Sequence, residues 1–500
     1  MVSLKAAEPT APDVSSGGAG LGPVQLIAAM GAPAAKSHPA SDQRLPLPGL
    51  PGSRRYRVVH QQVRLGVFDP VGMNPYDSVP PDQTDTPAHR QLAREAAAQS
   101  AVLLANKGGL LPLDLSKLAT VAVIGPSAND TAGYDRCFEG GTGGCLYSHI
   151  YRGYSSFVTT PLMGIVAAAA GAKANVTYQP GCGSRFPHGR CSDPSGIPGA
   201  VAAAAAADVA IVVVGLDESY EEEGVDRMDP SATGGGNGLF QLPGHQQDLI
   251  DQVVATGTPV VQVLLNGGPL SLHAPTGAER FALIEAFYGG QACGDGIADV
   301  LFGKAAPGGK MPVTAYASTA QAGNITDMDM SKGRTYRYLD YAKHGEPAYP
   351  FGFGLSYTTW AWAPLGTNAS GAAVDEATPV ALTVTVRNTG PVASAQVVQL
   401  YASLSAAFAV GASAGGAPVS AHVPPRQLVA FEKVFVPAGR SATVTMVVVP
   451  AELAGWGLWH AKQATLHFAA GGVSPTPHTL ATGQLVVASV AVSRARAGEG

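Results

Sequence analysis

The feature that most limits how this chain can fold is an Ala-rich stretch, Ala200 to Ala207, running almost directly into the apolar sequence Val209 to Gly215. A short, continuous apolar run stopped by Gly reads as a strand buried on both faces, and the Ala run before it as a helix. The couplet recurs. Gln246 to Ala255 reads as a helix before a strand at Val260 to Leu265, and Pro87 to Ala101, with Thr86 as its N-cap, precedes a strand at Val121 to Gly125. Ala282 to Tyr288 gives a further strand, and Gly294 to Leu301 a helix closed by Gly303. These repeats predict an α/β sandwich: a parallel-rich sheet with helices on both faces. Ligands of such sheets sit outside the carboxyl ends of the strands, so function is expected in the segments after Gly125, Gly215 and Leu265. The most apolar window, Gly199 to Leu216, contains Asp208 and changes from helix to strand, which argues against a membrane span.

The flanks differ in character. Residues 1–52 are rich in Ala, Gly, Pro and Ser without periodicity and read as a disordered or non-native leader. Tyr56, Val59, Val63 and Val67 then mark a helical face that Asp69-Pro70 should end. After Tyr357 the runs Val380 to Val386, Gln396 to Tyr401, Leu428 to Phe435, Ala442 to Val449 and Ala464 to Phe468 are strand-like, separated by Gly, Pro and Asn, with no helical pattern between them. They predict an all-β sandwich from Thr358 to about Val487.

Composition excludes several functions. The 31 Lys and Arg nearly balance 36 Asp and Glu, and no basic run exceeds two residues, so the clustered cations of a nucleic-acid binder are missing. Five cysteines show no metal-ligand spacing; Cys137 with Cys145, and Cys182 with Cys191, could close short disulfides or remain isolated thiols, leaving Cys293 odd. The twelve His residues form no H-E-x-x-H, no G-x-S-x-G elbow occurs, and the Gly140 to Gly144 loop lacks the Lys-Ser/Thr of a phosphate loop. No cofactor, metal, nucleic acid or membrane is therefore expected. Met1 to Pro12 has no apolar region, so no signal peptide is expected, although N-x-[ST] sequons occur at Asn129, Asn175, Asn324 and Asn368.

The chemistry-bearing segment follows Gly215. Asp217, Glu218, Glu221, Glu222, Glu223 and Asp226 crowd beside Arg227 at the carboxyl end of a buried strand. Crowded carboxylates raise one another's pKa, which is how a Glu stays protonated as a general acid near neutral pH. Asp226 and Arg227 could instead form a structural ion pair, and the whole run could be a solvated acidic loop.

A series of motifs extends this. Arg64-Leu-Gly-Val-Phe-Asp-Pro, Val121-Ala-Val-Ile-Gly-Pro-Ser-Ala-Asn, Thr159-Thr-Pro-Leu, Leu242-Pro-Gly-His-Gln, Gly267-Gly-Pro, Ala298-Asp-Val-Leu-Phe-Gly, Arg334-Thr-Tyr-Arg-Tyr and Tyr349-Pro-Phe-Gly-Phe-Gly-Leu-Ser-Tyr follow one another in order. In this the chain resembles the C-terminal portion of glycoside hydrolase family 3, on its β-xylosidase side, from residue 54 to about 490. The resemblance implies an N-terminal (β/α)8 barrel carrying an Asp nucleophile, an α/β sandwich lending the acid/base Glu, and a fibronectin type III-like domain. It implies retaining hydrolysis of an oligosaccharide or glycoside, most simply exo-acting β-D-xylosidase action in xylan breakdown, outside the cell or in the cell wall. Within Glu221-Glu-Glu-Gly-Val-Asp-Arg227 it points to Glu221 first and Glu223 second as the acid/base, although Glu222 stands where the family usually has a small residue. Asp226, Arg227 and Tyr154 become substrate-binding candidates, Phe157 a weaker one, and Ser231 to Gly238 a Gly-rich insertion.

The resemblance also divides the chain: leader 1–52; remnant of the last barrel helix and linker 53–85; α/β sandwich 86–357; fibronectin type III-like domain 358–487; tail 488–500. A barrel needs roughly 250 residues, and 63 precede Arg64. The expectation is half of an active site, inactive alone unless a barrel joins it in trans. The alternative is a non-catalytic carbohydrate-binding or interaction protein.

Overall fold

A computed structural model describes residues 54–70, 72–74, 78–83, 85–129, 158–183, 191–216, 220, 240–270, 275, 277–324, 326–369, 373–404, 423–455 and 463–493. The chain falls into two units, residues 1–86 and 87–500. In the first, helix α1 spans Arg54–Arg64. It stops before Asp69-Pro70, because Leu65 and Val67 close the last turn onto Gln61 and Gln62 and Gly66 takes a left-handed φ.

The second unit opens with helix α2 (Pro87–Ser100) and strands β1 (Val102–Lys107) and β2 (Thr120–Ile124). Helix α3 (Pro161–Ala169), strand β3 (Asn175–Gln179), helix α4 (Ile197–Ala205) and strand β4 (Val209–Gly215) follow. Helix α5 (Gln246–Val254), strands β5 (Val260–Leu265) and β6 (Phe281–Glu285) and helix α6 (Cys293–Leu301) complete the layer structure. The sheet order is β1-β6-β5-β4-β2-β3. Strands β2 to β6 run parallel, while β1 pairs antiparallel with β6.

The expected sandwich is present because the strands are apolar on both sides. Val212 and Val214 face a core with Ala200, Ala204, Leu249 and Val253 from α4 and α5. Ile211 and Val213 face a second core with Ala98, Ile165, Ile297 and Val300 from α2, α3 and α6. Each such fully buried Val or Ile contributes about 1.5–3 kcal/mol. The strand expected over Ala282 to Tyr288 is shorter, since Phe287 adopts a φ of 51° and breaks the ladder. Strands β1 and β3 and helix α3 add elements beyond the repeats read from the sequence.

The β-sandwich pairs strand β7 (Trp360–Trp362) and the two-residue β8 (Gly366–Thr367) with β10 (Val380–Asn388). Across β10 lies β13 (Ser441–Val448). The facing sheet runs β12-β11-β14-β15-β9, from Gln427–Val436, Ser394–Ser403, Gln463–Gly471, Leu485–Ser493 and Val374–Asp375. On β10, Val380, Leu382, Val384 and Val386 point inward, while Thr383 and Thr385 face out and meet Thr445 and Thr443 at 2.9 and 2.8 Å. Two helices interrupt the expected all-strand pattern, α7 (Pro450–Gly455) and α8 (Pro477–Ala481). The second forms because Thr476 and Thr479 make a reciprocal capping box around Pro477. The last strand continues to Ser493, past Val487.

Candidate functional site

The chain reverses direction in the sheet between β2 and β4: β3 lies outside β2, and β4, β5 and β6 extend the other way. Such a reversal opens a crevice at the carboxyl ends of the two strands, where ligands of parallel sheets bind. Glycine ends both strands there for a steric reason. A Cβ on Gly125 would fall 2.0 Å from the Val213 carbonyl oxygen, and one on Gly215 would fall 1.8 Å from that of Leu265. The backbones must touch for the strands to part.

Polar side chains are buried along this edge. Gln246, in the first turn of α5, clasps Gly215 from both sides: its Oε1 accepts the Gly215 N–H at 2.8 Å and its Nε2 donates to the Gly215 carbonyl at 3.0 Å. The exit of β4 is thereby fixed, with Leu216 N–H bonded to the Leu265 carbonyl and Tyr220 buried. One strand along, Asn266 donates through Nδ2 to Gly268 O at 3.0 Å and to Glu285 Oε2 at 3.1 Å. Glu285, 2% exposed, also accepts the Phe287 N–H at 3.1 Å. Asn266 Oδ1 is buried without a hydrogen-bond partner among the described residues. The edge therefore offers one unsatisfied acceptor next to a buried carboxyl.

The sequence candidates Glu221, Glu223, Asp226, Arg227 and Tyr154 lie outside the described residues, as do Phe157, the Gly140 loop, the insertion Ser231 to Gly238, and Cys137 with Cys145. Between Leu216 and Phe240 only Tyr220 is described, and the Phe240 ring lies 6.0 Å from that of Tyr316. Of the cysteine alternatives, Cys182 and Cys191 are bonded to each other and buried, while Cys293 is a buried thiol whose pKa burial pushes up to about 12. Among the described residues no three His, Cys, Asp or Glu side chains gather as a metal site, and no helix is long and apolar enough to cross a membrane.

Sequence reasoning missed Gln246, Asn266 and Glu285. Each carries a signal in retrospect: a polar residue at the first turn after Leu242-Pro-Gly-His, an Asn directly behind the apolar end Val263-Leu-Leu of a strand, and a lone carboxylate closing Phe281-Ala-Leu-Ile. Charge inside an apolar run implies a buried partner.

A family model for the glycosyl hydrolase family 3 C-terminal domain matches residues 101–357, and one for a fibronectin type III-like domain matches residues 396–466. The chain belongs to glycoside hydrolase family 3. It is 40% identical over 307 residues to β-D-xylosidase 1 of Arabidopsis thaliana, covering 60% of this chain and 35% of the relative. To the thermostable β-glucosidase B of Acetivibrio thermocellus it is 32% identical over 380 residues, covering 73% of this chain and 44% of the relative. The structure of a family 3 exo-β-xylosidase in complex with a xylobiose aziridine probe superposes with a TM-score of 0.64 at 25% identity, covering 87% of this chain and 53% of that one. The family 3 chain thus spans less than half the length of these two curated relatives, and its matches include both β-xylosidases and β-glucosidases.

Proposed function

We propose that this chain supplies the acid/base half of a retaining, exo-acting β-D-xylosidase site used in xylan breakdown. The observation that carries the reading is the carboxyl edge at the sheet reversal. The acidic run Asp217 to Arg227 begins one residue after Leu216, where Gln246 pins the end of β4. In this reading Glu221, with Glu223 as the other candidate, protonates the glycosidic oxygen as an Asp of a barrel attacks the anomeric carbon. The same Glu, now ionised, takes a proton from water in the second step, when the glycosyl–enzyme ester is hydrolysed. The two carboxyls must come within about 5 Å of each other. Asp226 and Arg227 would hold sugar hydroxyls, and Tyr154 would stack on the ring.

The nucleophile is not among the 500 residues in this reading; a barrel, in the same polypeptide or on another, completes the pair. The choice of a xyloside over a glucoside in this reading is supported by the resemblance of the Glu221 to Arg227 segment to the β-xylosidase side of the family. An extracellular or cell-wall location is supported by the buried Cys182–Cys191 disulfide, since such bonds persist in oxidising compartments. Release of nitrophenol from an aryl β-D-xyloside tests the proposal. The 500-residue chain should release almost none, and the chain fused behind a family 3 barrel should turn over xyloside faster than glucoside. A fusion that binds xylo-oligosaccharide and hydrolyses nothing would favour the non-catalytic carbohydrate-binding alternative.

A further inference from the structure

The sequons at Asn129, Asn175, Asn324 and Asn368 play no part in the proposed chemistry, and the fold treats them differently. An Asn accepts a glycan through Nδ2, and the bulky, hydrated product has to stand in solvent. The hydroxyl two residues on has a chemical use. Donated to the Asn Oδ1, it stabilises the charge that gathers on that oxygen as Nδ2 gives up a proton. An acceptor site therefore combines an exposed Asn, a free Nδ2 and a hydroxyl bonded to Oδ1.

Asn324 has all three. It and Thr326 are exposed, and its Oδ1 accepts the Thr326 N–H at 3.0 Å and the Thr326 hydroxyl at 2.9 Å. Its Nδ2 has no hydrogen-bond partner among the described residues. The Asn324 carbonyl accepts the Asp327 N–H at 3.0 Å and a donor of the Arg334 guanidinium, so the arrangement is a turn closed largely by its own residues. The other three sequons differ. Asn129 is half-buried beyond Gly125 at the candidate edge, with its Oδ1 accepting the Thr160 hydroxyl at 3.0 Å. Asn368 spends its Oδ1 on the Ala381 N–H at 2.8 Å, and its own N–H donates to Ala381 O at 3.2 Å, which holds it against β10. Asn175 opens strand β3, where two residues of extended chain span about 6.6 Å, too far for the Thr177 hydroxyl to reach the Asn175 amide.

We propose that Asn324 is the main N-glycosylation site of this chain. The donor is an oligosaccharide carried on a polyisoprenyl diphosphate. The Asn324 Nδ2 forms a bond to the anomeric carbon of the first sugar, the bond from that carbon to the diphosphate oxygen breaks, and the lipid diphosphate leaves. One of the two Nδ2 protons passes to a base of the transferring enzyme. Because the turn is local, it can form on the emerging chain before the sheets assemble, and in the folded protein it still projects the glycan into solvent. The proposal rests on the extracellular reading given above, since the donor and its enzyme belong to the secretory route.

Expression of the 500-residue chain behind a cleavable secretory signal in a eukaryotic host, with glycopeptide mapping before and after peptide-N-glycosidase treatment, tests the site. Asn324 should be occupied in most secreted molecules, and more fully than Asn129, Asn175 or Asn368. Asn324→Gln should abolish the main glycosidase-sensitive gel shift. Thr326→Val, which keeps shape and removes only the hydroxyl, should abolish it too, while Thr326→Ser should retain it. The proposal is overturned if Asn324 is bare in most secreted molecules, if another sequon equals or exceeds its occupancy, or if Thr326→Val is glycosylated like the parent. The mapping is made on the parent chain, so it stands whether or not a variant folds. The host supplies the compartment, so a bare Asn324 counts against the site alone. Recovery of the native protein from the cytosol with Cys182 and Cys191 reduced would instead remove the extracellular reading, while the secreted chain still reports on the sequon.

Discussion

The two halves of residues 87–500 bury polar side chains in different places. In the α/β sandwich Gln246, Asn266 and Glu285 are buried at the carboxyl edge of the parallel strands, facing the segments that leave the sheet. In the β-sandwich the conspicuous cases face the other half of the molecule. Gln399 of β11 donates to Gly352 O and Gly472 O and accepts the Tyr401 hydroxyl at 2.6 Å. Arg426, fully buried, donates to Leu339 O and lies 4.1 Å over the Tyr341 ring. Ser394 and Ser356 hydroxyls meet at 2.8 Å. One half gathers these buried polar groups at the carboxyl ends of its parallel strands, where Asn266 Oδ1 has no partner among the described residues; the other uses them to fasten itself to its neighbour. The comparison separates a candidate site from a support.

The sharpest way to break the comparison is at the edge itself. Gly215→Ala drives a Cβ into the Leu265 carbonyl, so the α/β sandwich should lose about 4 kcal/mol or more, or fail to fold, measured as the urea midpoint. A variant with unchanged stability would show that the strands part without backbone contact. Next in size, Gln399→Leu removes the clasp on Gly352 and Gly472 and should cost about 2–3 kcal/mol, with the loss concentrated in the docking of the β-sandwich as read by hydrogen exchange around residues 350–356.

A smaller, pH-dependent effect belongs to the same contact. Lys310 keeps part of its surface exposed, but its ammonium donates to Gly354 O at 2.7 Å and is desolvated, with Lys433 nearby, which lowers its pKa to about 8. Between about pH 8 and 10 the folded chain has lost a proton that the unfolded chain still holds, so this group makes stability rise with pH there. Below pH 8 that contribution is gone. Lys310→Met should therefore flatten the difference in melting temperature between pH 7.5 and 9.5. The variant must be read against the parent, because the raised pKa of Cys293 works in the opposite direction above pH 9.

How much of this was legible varies with the local physics. Strand β4 matches its expected limits because it is apolar throughout and ends in Gly215, and β5 matches because Val260 to Leu265 is apolar but for the buried Gln262. Strand β1 was hidden because Val102-Leu-Leu-Ala adjoins an Ala-rich helix with no turn residue between them. Edge strand β3, half-exposed, has too short an alternation to stand out. Helix α3 had its signal, Thr160 capping the Met163 N–H with Pro161 in the first turn, inside a segment read only for its motif. The candidate site's place in the fold, the carboxyl edge after Gly215, was legible because strand direction follows from the repeats. Its buried partners were not, since the pairing of Asn266 with Glu285 depends on β5 and β6 lying side by side. The antiparallel return of β1 likewise depends on tertiary pairing that no local period encodes.

The central claim, that the segment leaving β4 carries the acid/base, is tested most directly by azide rescue in the barrel fusion. Glu221→Ala should cut turnover of xylosides with poor leaving groups by roughly 10²- to 10⁴-fold. It should spare activated aryl xylosides more and recover with azide, yielding xylosyl azide, while Glu223→Ala should do none of this. The reverse pattern would exchange the two residues. If neither variant shows leaving-group dependence or azide rescue, the acid/base lies elsewhere and the account of this edge is wrong.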